Sequence, residues 1–377
     1  MSEITPFTVE IPDAALEDLR RRLRDARWPD QLPGAGWDYG AEAGYIRELA
    51  RYWADEYDWR AAEAELNQLD HFTTAIDGQN IHFIHQRSPH PDAYPLIISH
   101  GWPGSVVEFL DIIGPLTNPD NPSDAFHVVA PSLPGYGFSG PTADRGWGTV
   151  RTAKAFAELM ARLGYGRYGA QGGDWGSMIS QDIGRCDPAH CEAVHVNFLF
   201  AAAPEGGPGD LTEAEQAGLD RANLYFTEGA GYMQIQSTKP QTLAYGLTDS
   251  AVGQLAWIAE KFLAWTDNDG TIESAVGRDR LLTNVSLYWF TATAGSSARM
   301  YYETLRPGQT GLGNPLTTPL GMASFPMEIM QAPRRWLEDS YNIVHWTDMA
   351  EGGHFAAMEE PEALAADIRE FFRRFRP

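Results

Sequence analysis

Tyr168-Gly169-Ala170-Gln171-Gly172-Gly173-Asp174-Trp175-Gly176 is the stretch on which the reading of this chain turns. A short strand-like run enters a glycine-rich bend, and Met178, Ile179 and Ile183 then recur at helical spacing. Gly172 to Gly176 has the form small-x-nucleophile-x-small, a sharp strand-to-helix turn that presents its central side chain. Such a turn strains the central residue and leaves no room for side chains two positions to either side. The centre is normally Ser; here it is Asp174. A carboxylate there faces the free N–H groups and the positive end of the following helix, which favour its charged, nucleophilic form. The plainer reading is an Asp in a glycine-rich loop or a helix N-cap, and the rest of the chain has to decide.

Working outward, the pattern alternates. Leu96-Ile97-Ile98-Ser99 and Phe126 to Ala130 read as buried strands, Val150 to Leu163 as a helix and Ala193 to Asn197 as another strand. Phe72 to Ile76 and Ile81 to His85 flank Asp77-Gly78, which reads as a hairpin. After residue 310, Leu320 to Phe325 and Asn342 to Trp346 read as strands, and Pro361 opens a final amphipathic helix. Strands alternating with helices predict an α/β fold, a mostly parallel sheet flanked by helices. Two segments depart from it. Residues 1–70 are helical and aromatic-rich, with Leu16, Leu19 and Leu23, then Ile46, Leu49 and Trp53, at helical spacing. Residues 200–310 are helical or loop-like and rich in Tyr and Trp. The division is therefore a helical extension (1–70), a core in two parts (71–199 and 311–377) and a helical insertion (200–310) between them.

Three further candidates fall at strand ends. Gly352-Gly353-His354-Phe355 follows the last strand, where a general base belongs if the nucleophile comes earlier in the chain. Glu328 follows the Leu320–Phe325 strand and can orient His354; Asp339, Asp348 and Glu351 compete for that role, less well placed. His100-Gly101-Trp102-Pro103 follows an early strand, and the N–H groups of Trp102 and Trp175 could form an oxyanion hole.

Over nearly its full length the chain resembles the epoxide hydrolases of the microsomal and juvenile-hormone type, which have an α/β-hydrolase fold. The resemblance runs from Pro6-Phe7 and Trp28-Pro29 through His100-Gly101-Trp102-Pro103-Gly104-Ser105 and Gly172-Gly173-Asp174-Trp175-Gly176. It continues through Gly231-Tyr232, Gln236-Ser237-Thr238-Lys239-Pro240 and Arg299-Met300-Tyr301-Tyr302-Glu303 to Phe325-Pro326-Met327-Glu328 and Gly352-Gly353-His354-Phe355-Ala356-Ala357. It implies Asp174 as nucleophile, His354 as base, Glu328 as its acidic partner, a helical lid over 200–310, and Tyr232 and Tyr301 as the lid tyrosines that hold the epoxide oxygen. Tyr302, adjacent to Tyr301, is the competing donor. An ester on Asp174 can be hydrolysed by water that His354 activates, whereas an ether on Ser could not. The rival readings are a haloalkane dehalogenase-like hydrolase, disfavoured because halide needs no proton donor, and a non-catalytic binder of a hydrophobic ligand on the same fold.

Composition narrows the remaining classes. With 28 Lys and Arg against 51 Asp and Glu, the 377-residue chain carries a net charge of −23 and would repel phosphate backbones and anionic lipid. No apolar run is long enough to span a membrane, and the first residues do not read as a secretory signal. Two cysteines, Cys186 and Cys191, read as reduced thiols, so the expected location is cytoplasmic and the Asn284-Val285-Ser286 sequon carries no meaning. Gly135-Tyr136-Gly137-Phe138-Ser139-Gly140 fits G-x-G-x-x-G but opens no helix, so no nicotinamide cofactor is expected. His82 and His85 lie on opposite faces of a strand and read as surface or hairpin histidines rather than metal ligands. The expected partner is a small epoxide, apolar or aromatic given the aromatic lid, with no metal or organic cofactor. Oligomeric state stays open, a homodimer among the options.

Overall fold

The computed structural model describes residues 3–201, 203–306 and 314–376. Among the described residues nine strands form one sheet: β1 (Thr5–Phe7), β2 (His71–Ile76), β3 (Gln79–Gln86), β4 (Tyr94–Ser99), β5 (Phe126–Pro131), β6 (Tyr168–Gly172), β7 (Cys191–Val196), β8 (Leu316–Ser324) and β9 (Tyr341–Asp348). Their order is β1-β2-β3-β5-β4-β6-β7-β8-β9. From β5 to β9 every pair is parallel, and β1, β2, β3 and β5 pair antiparallel. The predicted hairpin turns at Asp77 and Gly78, both at positive φ (51° and 76°), as a two-residue turn between twisted strands requires. This is the α/β-hydrolase architecture. The chain leaves β4 for β5 on one side and returns to β6 on the other. The strand ends of β4 and β6 therefore open into the crevice where doubly wound sheets bind ligands.

The central strands are buried on both faces, with Leu96, Ile97, Ile98, Val128, Val129, Ala170 and Val194 fully enclosed. That is why they read as continuous apolar runs rather than alternating ones. The final helix, Pro361–Phe372, starts with its proline where a missing N–H is harmless, and lays Phe371 and Phe372 on the sheet. Asp367 on this helix accepts hydrogen bonds at 2.8 Å from Nε2 of both His195 on β7 and His345 on β9, and one from the Thr347 hydroxyl.

Two expectations need correcting. The amino-terminal segment is not wholly helical: Thr5–Phe7 forms an edge strand paired with β2. Its register links residues 68 positions apart (Thr5 to Thr73), so no local pattern announces it. Nor are His82 and His85 surface residues. His82 is fully buried between His71 Nδ1 and Ser132 Oγ, each 2.9 Å away, and His85 is bonded to the Tyr165 hydroxyl at 2.8 Å. The edge strand covers His82 through Phe7, edge-on against its ring, whereas Phe72 and Tyr165 pack against His85. Among the described residues no cluster of three or more His, Cys, Asp or Glu could hold a metal ion. The glycine-rich loop at 135–140 forms a single 3₁₀ turn, Gly137–Ser139, and opens no long helix.

Between β7 and β8 the chain builds a helical layer that includes Glu213–Leu224, Gly231–Thr238, Pro240–Asp249, Ala251–Trp265, Arg278–Phe290 and Arg299–Thr304. The amino-terminal helix Ala43–Asp55 and its neighbour Tyr57 secure this layer: Trp53 Nε1 donates to Ser286 Oγ (2.8 Å) and the Tyr57 hydroxyl meets Thr283 (2.9 Å). Asn284, the sequon residue, is completely buried with its amide bonded to Pro103 O and Ser105 Oγ, a position closed to glycosylation. No helix among the described residues is long and apolar enough to cross a membrane.

Burial works against the Asp367 charge, but the hydrogen bonds from His195, Thr347 and His345 outweigh it and hold the carboxyl well below its ordinary 3.8. Such a group stabilises the fold above its unfolded pKa, and the contribution is lost as pH falls toward the folded value. Asp367→Asn should therefore cost about 2–3 kcal/mol in urea unfolding at pH 7. The gap to wild type should narrow below about pH 4. A gap independent of pH would contradict this account.

Candidate active site

Asp174 opens the helix Asp174–Cys186 directly after β6, and its backbone sits at φ 49°, in the left-handed region that a non-glycine residue occupies only under tight constraint. The constraint is visible around it. A Cβ on Gly176 would lie 1.8 Å from Ser99 O, and one on Gly172 would lie 2.2 Å from Gly176 O, so the turn is pressed against the end of β4. On the facing loop, a Cβ on Gly101 would lie 2.1 Å from Asp174 Oδ1. This contact lets the next residue donate: Trp102 N–H reaches Asp174 Oδ1 at 2.8 Å.

The loop carrying Trp102 is clamped from above. Asn284 Nδ2 donates to Pro103 O (2.8 Å), the Tyr288 hydroxyl to Gly104 O (2.7 Å), and Ser105 Oγ to Asn284 Oδ1 (2.7 Å). The helical insertion thus fixes one face of the site while supplying another. The amino-terminal extension, bonded to the same helix, supports both.

His354 lies in the loop after β9. Its Nε2 stands 3.4 Å from Asp174 Oδ2, and its Nδ1 is 2.6 Å from Glu328 Oε1, which also accepts from Ile329 N–H at 2.7 Å. Asp339, Asp348 and Glu351, the competing acids, are all exposed. The His354 loop is tied to the insertion, because His354 N–H donates to Trp265 O (2.9 Å). The Glu359 carboxylate collects the N–H groups of Gly353, Phe355 and Asp267 at 2.7–2.9 Å. Burial alone would lower the His354 pKa; the Glu328 and Asp174 carboxylates together overcome that and raise it well above 6.5. The side chains of His354 and Glu328 are each 1% exposed, while that of Asp174 keeps 17%, so open space reaches Asp174 rather than His354.

Across from Asp174 stand the aromatic side chains of the insertion. The Tyr232 ring stacks on Trp102 (centroids 4.9 Å apart, 9° between planes), and Tyr301 meets Trp102, Trp175 and Tyr232 edge-on at 5.8, 4.7 and 5.7 Å. Burial, before any neighbouring charge, pushes both phenols well above 10, so both are neutral donors. Tyr302 is turned away and held by Arg306, whose guanidinium lies 3.8 Å from its ring centre. The structure therefore brings Asp174, His354, Glu328, Trp102, Trp175, Tyr232 and Tyr301 to one place and leaves Tyr302 outside it.

Residues 4–109 match the family described as "Epoxide hydrolase N terminus" and residues 94–183 that of the "alpha/beta hydrolase fold". The chain is 39% identical to Epoxide hydrolase 1 of Sus scrofa, over 98% of this chain and 88% of that protein. It belongs to the epoxide hydrolase family. The crystal structure of juvenile hormone epoxide hydrolase from Bombyx mori superposes with a TM-score of 0.92 at 33% identity, covering 100% of this chain and 96% of that one. The Aspergillus niger epoxide hydrolase gives 0.89 at 36%, covering 99% and 96%. Its chemistry is accordingly that of a hydrolase, and its substrate a small-molecule epoxide.

The sequence pattern missed three groups beside this epoxide hydrolase site. Tyr225 precedes Tyr232 by seven residues, one face of a helical period, and its hydroxyl lies 2.8 Å from that of Tyr232. Lys261 is a lone cation in an apolar helix and is 5% exposed. Glu108 sits so close to the clamped loop that a Cβ on Gly104 would meet its carboxylate. Burial raises Glu108 to about 8, with His354 and the Gly101 and Ser105 amides countering and Asp174 adding to the rise.

A carboxyl raised in the folded state favours folding below its unfolded pKa and loses that contribution as pH climbs to the folded value. The stability of wild type relative to Glu108→Gln should fall steadily from about pH 4.5 to about pH 8 and then level off. Chemical denaturation of both proteins across that range tests it, and a constant difference would refute it.

Proposed function

We propose that the enzyme opens its epoxide by attack of Asp174 and then hydrolyses the resulting ester with water activated by His354, releasing a vicinal diol. The observation that carries this reading is the polarised carboxylate: Oδ1 tied to the Trp102 N–H at 2.8 Å, Oδ2 3.4 Å from His354 Nε2, and Glu328 behind the imidazole.

Asp174 Oδ2 is the free oxygen and forms the bond to a ring carbon, while the C–O bond of the strained ring breaks. Tyr232 and Tyr301 donate hydrogen bonds to the departing oxygen, and one of them passes it a proton. Oδ1 then remains as the ester carbonyl, already on the donor that will stabilise its negative charge, with Trp175 N–H as the second donor.

Alkylation also changes the base. Glu328 and Asp174 together hold His354 protonated, Asp174 through both hydrogen bonding and charge. Once the Asp174 carboxylate is an ester the charge is gone, so His354 releases its proton to solvent and, now neutral, can take one from water. Glu328 stabilises the imidazolium that results. His354 then protonates the departing alkoxide oxygen, and Asp174 returns as a carboxylic acid that ionises.

The donor pair on the leaving-group side favours an epoxide over a haloalkane, since halide departs without a proton. A complete nucleophile, base and acid set argues against a purely binding role. Walls made by Trp102, Trp175, Tyr232, Tyr301, Phe198 and Trp265 suit an apolar or aromatic epoxide, and the helical insertion serves as its lid. Both cysteines are free, Cys186 exposed and Cys191 buried, which suits a reducing compartment such as the cytoplasm.

His354→Gln removes the base but leaves the nucleophile. Exposed to styrene oxide, this variant should accumulate one covalent adduct, found by intact-protein and peptide mass spectrometry on the peptide holding Asp174. An adduct elsewhere, or turnover at the wild-type rate, would refute the assignment.

A further inference from the structure

We infer that Tyr225 and Lys261 are positioning residues that make Tyr232, rather than Tyr301, the acid that protonates the epoxide oxygen. The inference rests on the mechanism above and deepens it.

Tyr232 is poorly suited to the task by itself. Burial pushes its hydroxyl well above 10, and a hydrogen bond given to Tyr225 adds to the rise, so giving up its proton is costly unless that bond reverses and the phenolate left behind is stabilised. Two groups are placed to do so. The Tyr225 hydroxyl is 2.8 Å from the Tyr232 hydroxyl. Burial holds Tyr225 at about 12, so its hydroxyl stays protonated. If Tyr232 points its own hydrogen at the substrate, the bond between the two phenols has one remaining direction: Tyr225 donates and Tyr232 accepts.

The second group is a charge. Lys261 Nζ lies 4.6 Å from the centre of the Tyr232 ring and 5.9 Å from that of Trp265. A cation over an aromatic face withdraws electron density from the ring, and its effect grows where water is excluded. Lys261 is 5% exposed, and its ammonium is also paired with Glu260. Among the described residues no cation lies over Tyr301, whose ring neighbours are Trp102, Trp175 and Tyr232.

The backbone at Tyr225 is unusual in the same sense. Residues Tyr225–Gly229 form a π-helical turn, which widens the helix by one residue. Tyr225 itself is buried, while its neighbours Leu224 and Phe226 are exposed.

The proton count closes. In the first step the C–O bond of the ring breaks, the Asp174–carbon bond forms, and the Tyr232 proton moves to the departing oxygen. The Tyr225 proton stays on Tyr225, hydrogen-bonded to the Tyr232 phenolate. Ester hydrolysis regenerates Asp174 as a carboxylic acid, and its proton restores Tyr232 through solvent.

Single-turnover kinetics with styrene oxide separate ester formation from ester breakdown and test this directly. In Tyr225→Phe and in Lys261→Met, ester formation should slow by about tenfold, the scale of one hydrogen bond to a developing charge. Ester breakdown should stay within about twofold, because the hydrogen bond acts only on the first step. Lys261→Arg, which keeps the charge, should restore most of the rate. The decisive comparison is a double-mutant cycle. Tyr225→Phe should add no further loss in a Tyr232→Phe background if Tyr225 acts through the Tyr232 hydroxyl. Equal losses in both backgrounds, or no loss in either, would overturn the inference while leaving the mechanism intact. Failure of wild type itself to form an ester on Asp174 would overturn the mechanism, and this inference with it.

Discussion

The contact that the rest of the site depends on is the one between the Asp174 turn and the ends of the neighbouring strands. Asp174 is held at positive φ because Gly176 lies against the carbonyl of Ser99 and Gly101 lies against the Asp174 carboxylate. Neither approach survives a side chain larger than hydrogen. The crowding sets the distance between carboxylate and Trp102 N–H, and so decides which oxygen is tethered and which is left free. The constraint comes from the topology: β4 and β6 are adjacent only because the chain crosses over at this point in the sheet.

Around that fixed point the charges are arranged as a sequence of compensations. Burying an imidazole would strip its proton, and two carboxylates hold it on. In the proposed reaction one of the two, Asp174, is consumed in the first step, which would release His354 as base for the second. The same burial keeps the phenols neutral, which makes them donors but poor acids. The supports proposed for Tyr232 would answer that second difficulty as Asp174 would answer the first. Low dielectric makes each of these interactions strong and each omission expensive.

The fold and most of the candidate site were legible because their determinants are local. A glycine-framed Asp between a strand and a helix, a Gly-Gly-His after the last strand and an acid one strand earlier each announce themselves over a few residues. Length of separation is what hid the rest. The edge strand Thr5–Phe7 pairs across 68 positions and carries no period, so it merged with the helices that follow; the buried His82 was misjudged for want of that strand. Glu108, Tyr225 and Lys261 each stand in a helical pattern where a polar residue reads as a solvated face. Only the packing turns them inward. The choice between Tyr301 and Tyr302, adjacent in sequence, rests on which face of one short helix meets Trp102 and Trp175.

In the proposed reaction a protein carboxylate, and not water, makes the first bond to the substrate. Isotope labelling tests it most directly. With enzyme in excess over styrene oxide in ¹⁸O-water, the account predicts an unlabelled diol from the first turnover and ¹⁸O in the Asp174 carboxylate, read by mass spectrometry of its peptide. Label in the first-turnover diol with none in Asp174 would mean that water attacks the epoxide directly, and would contradict it.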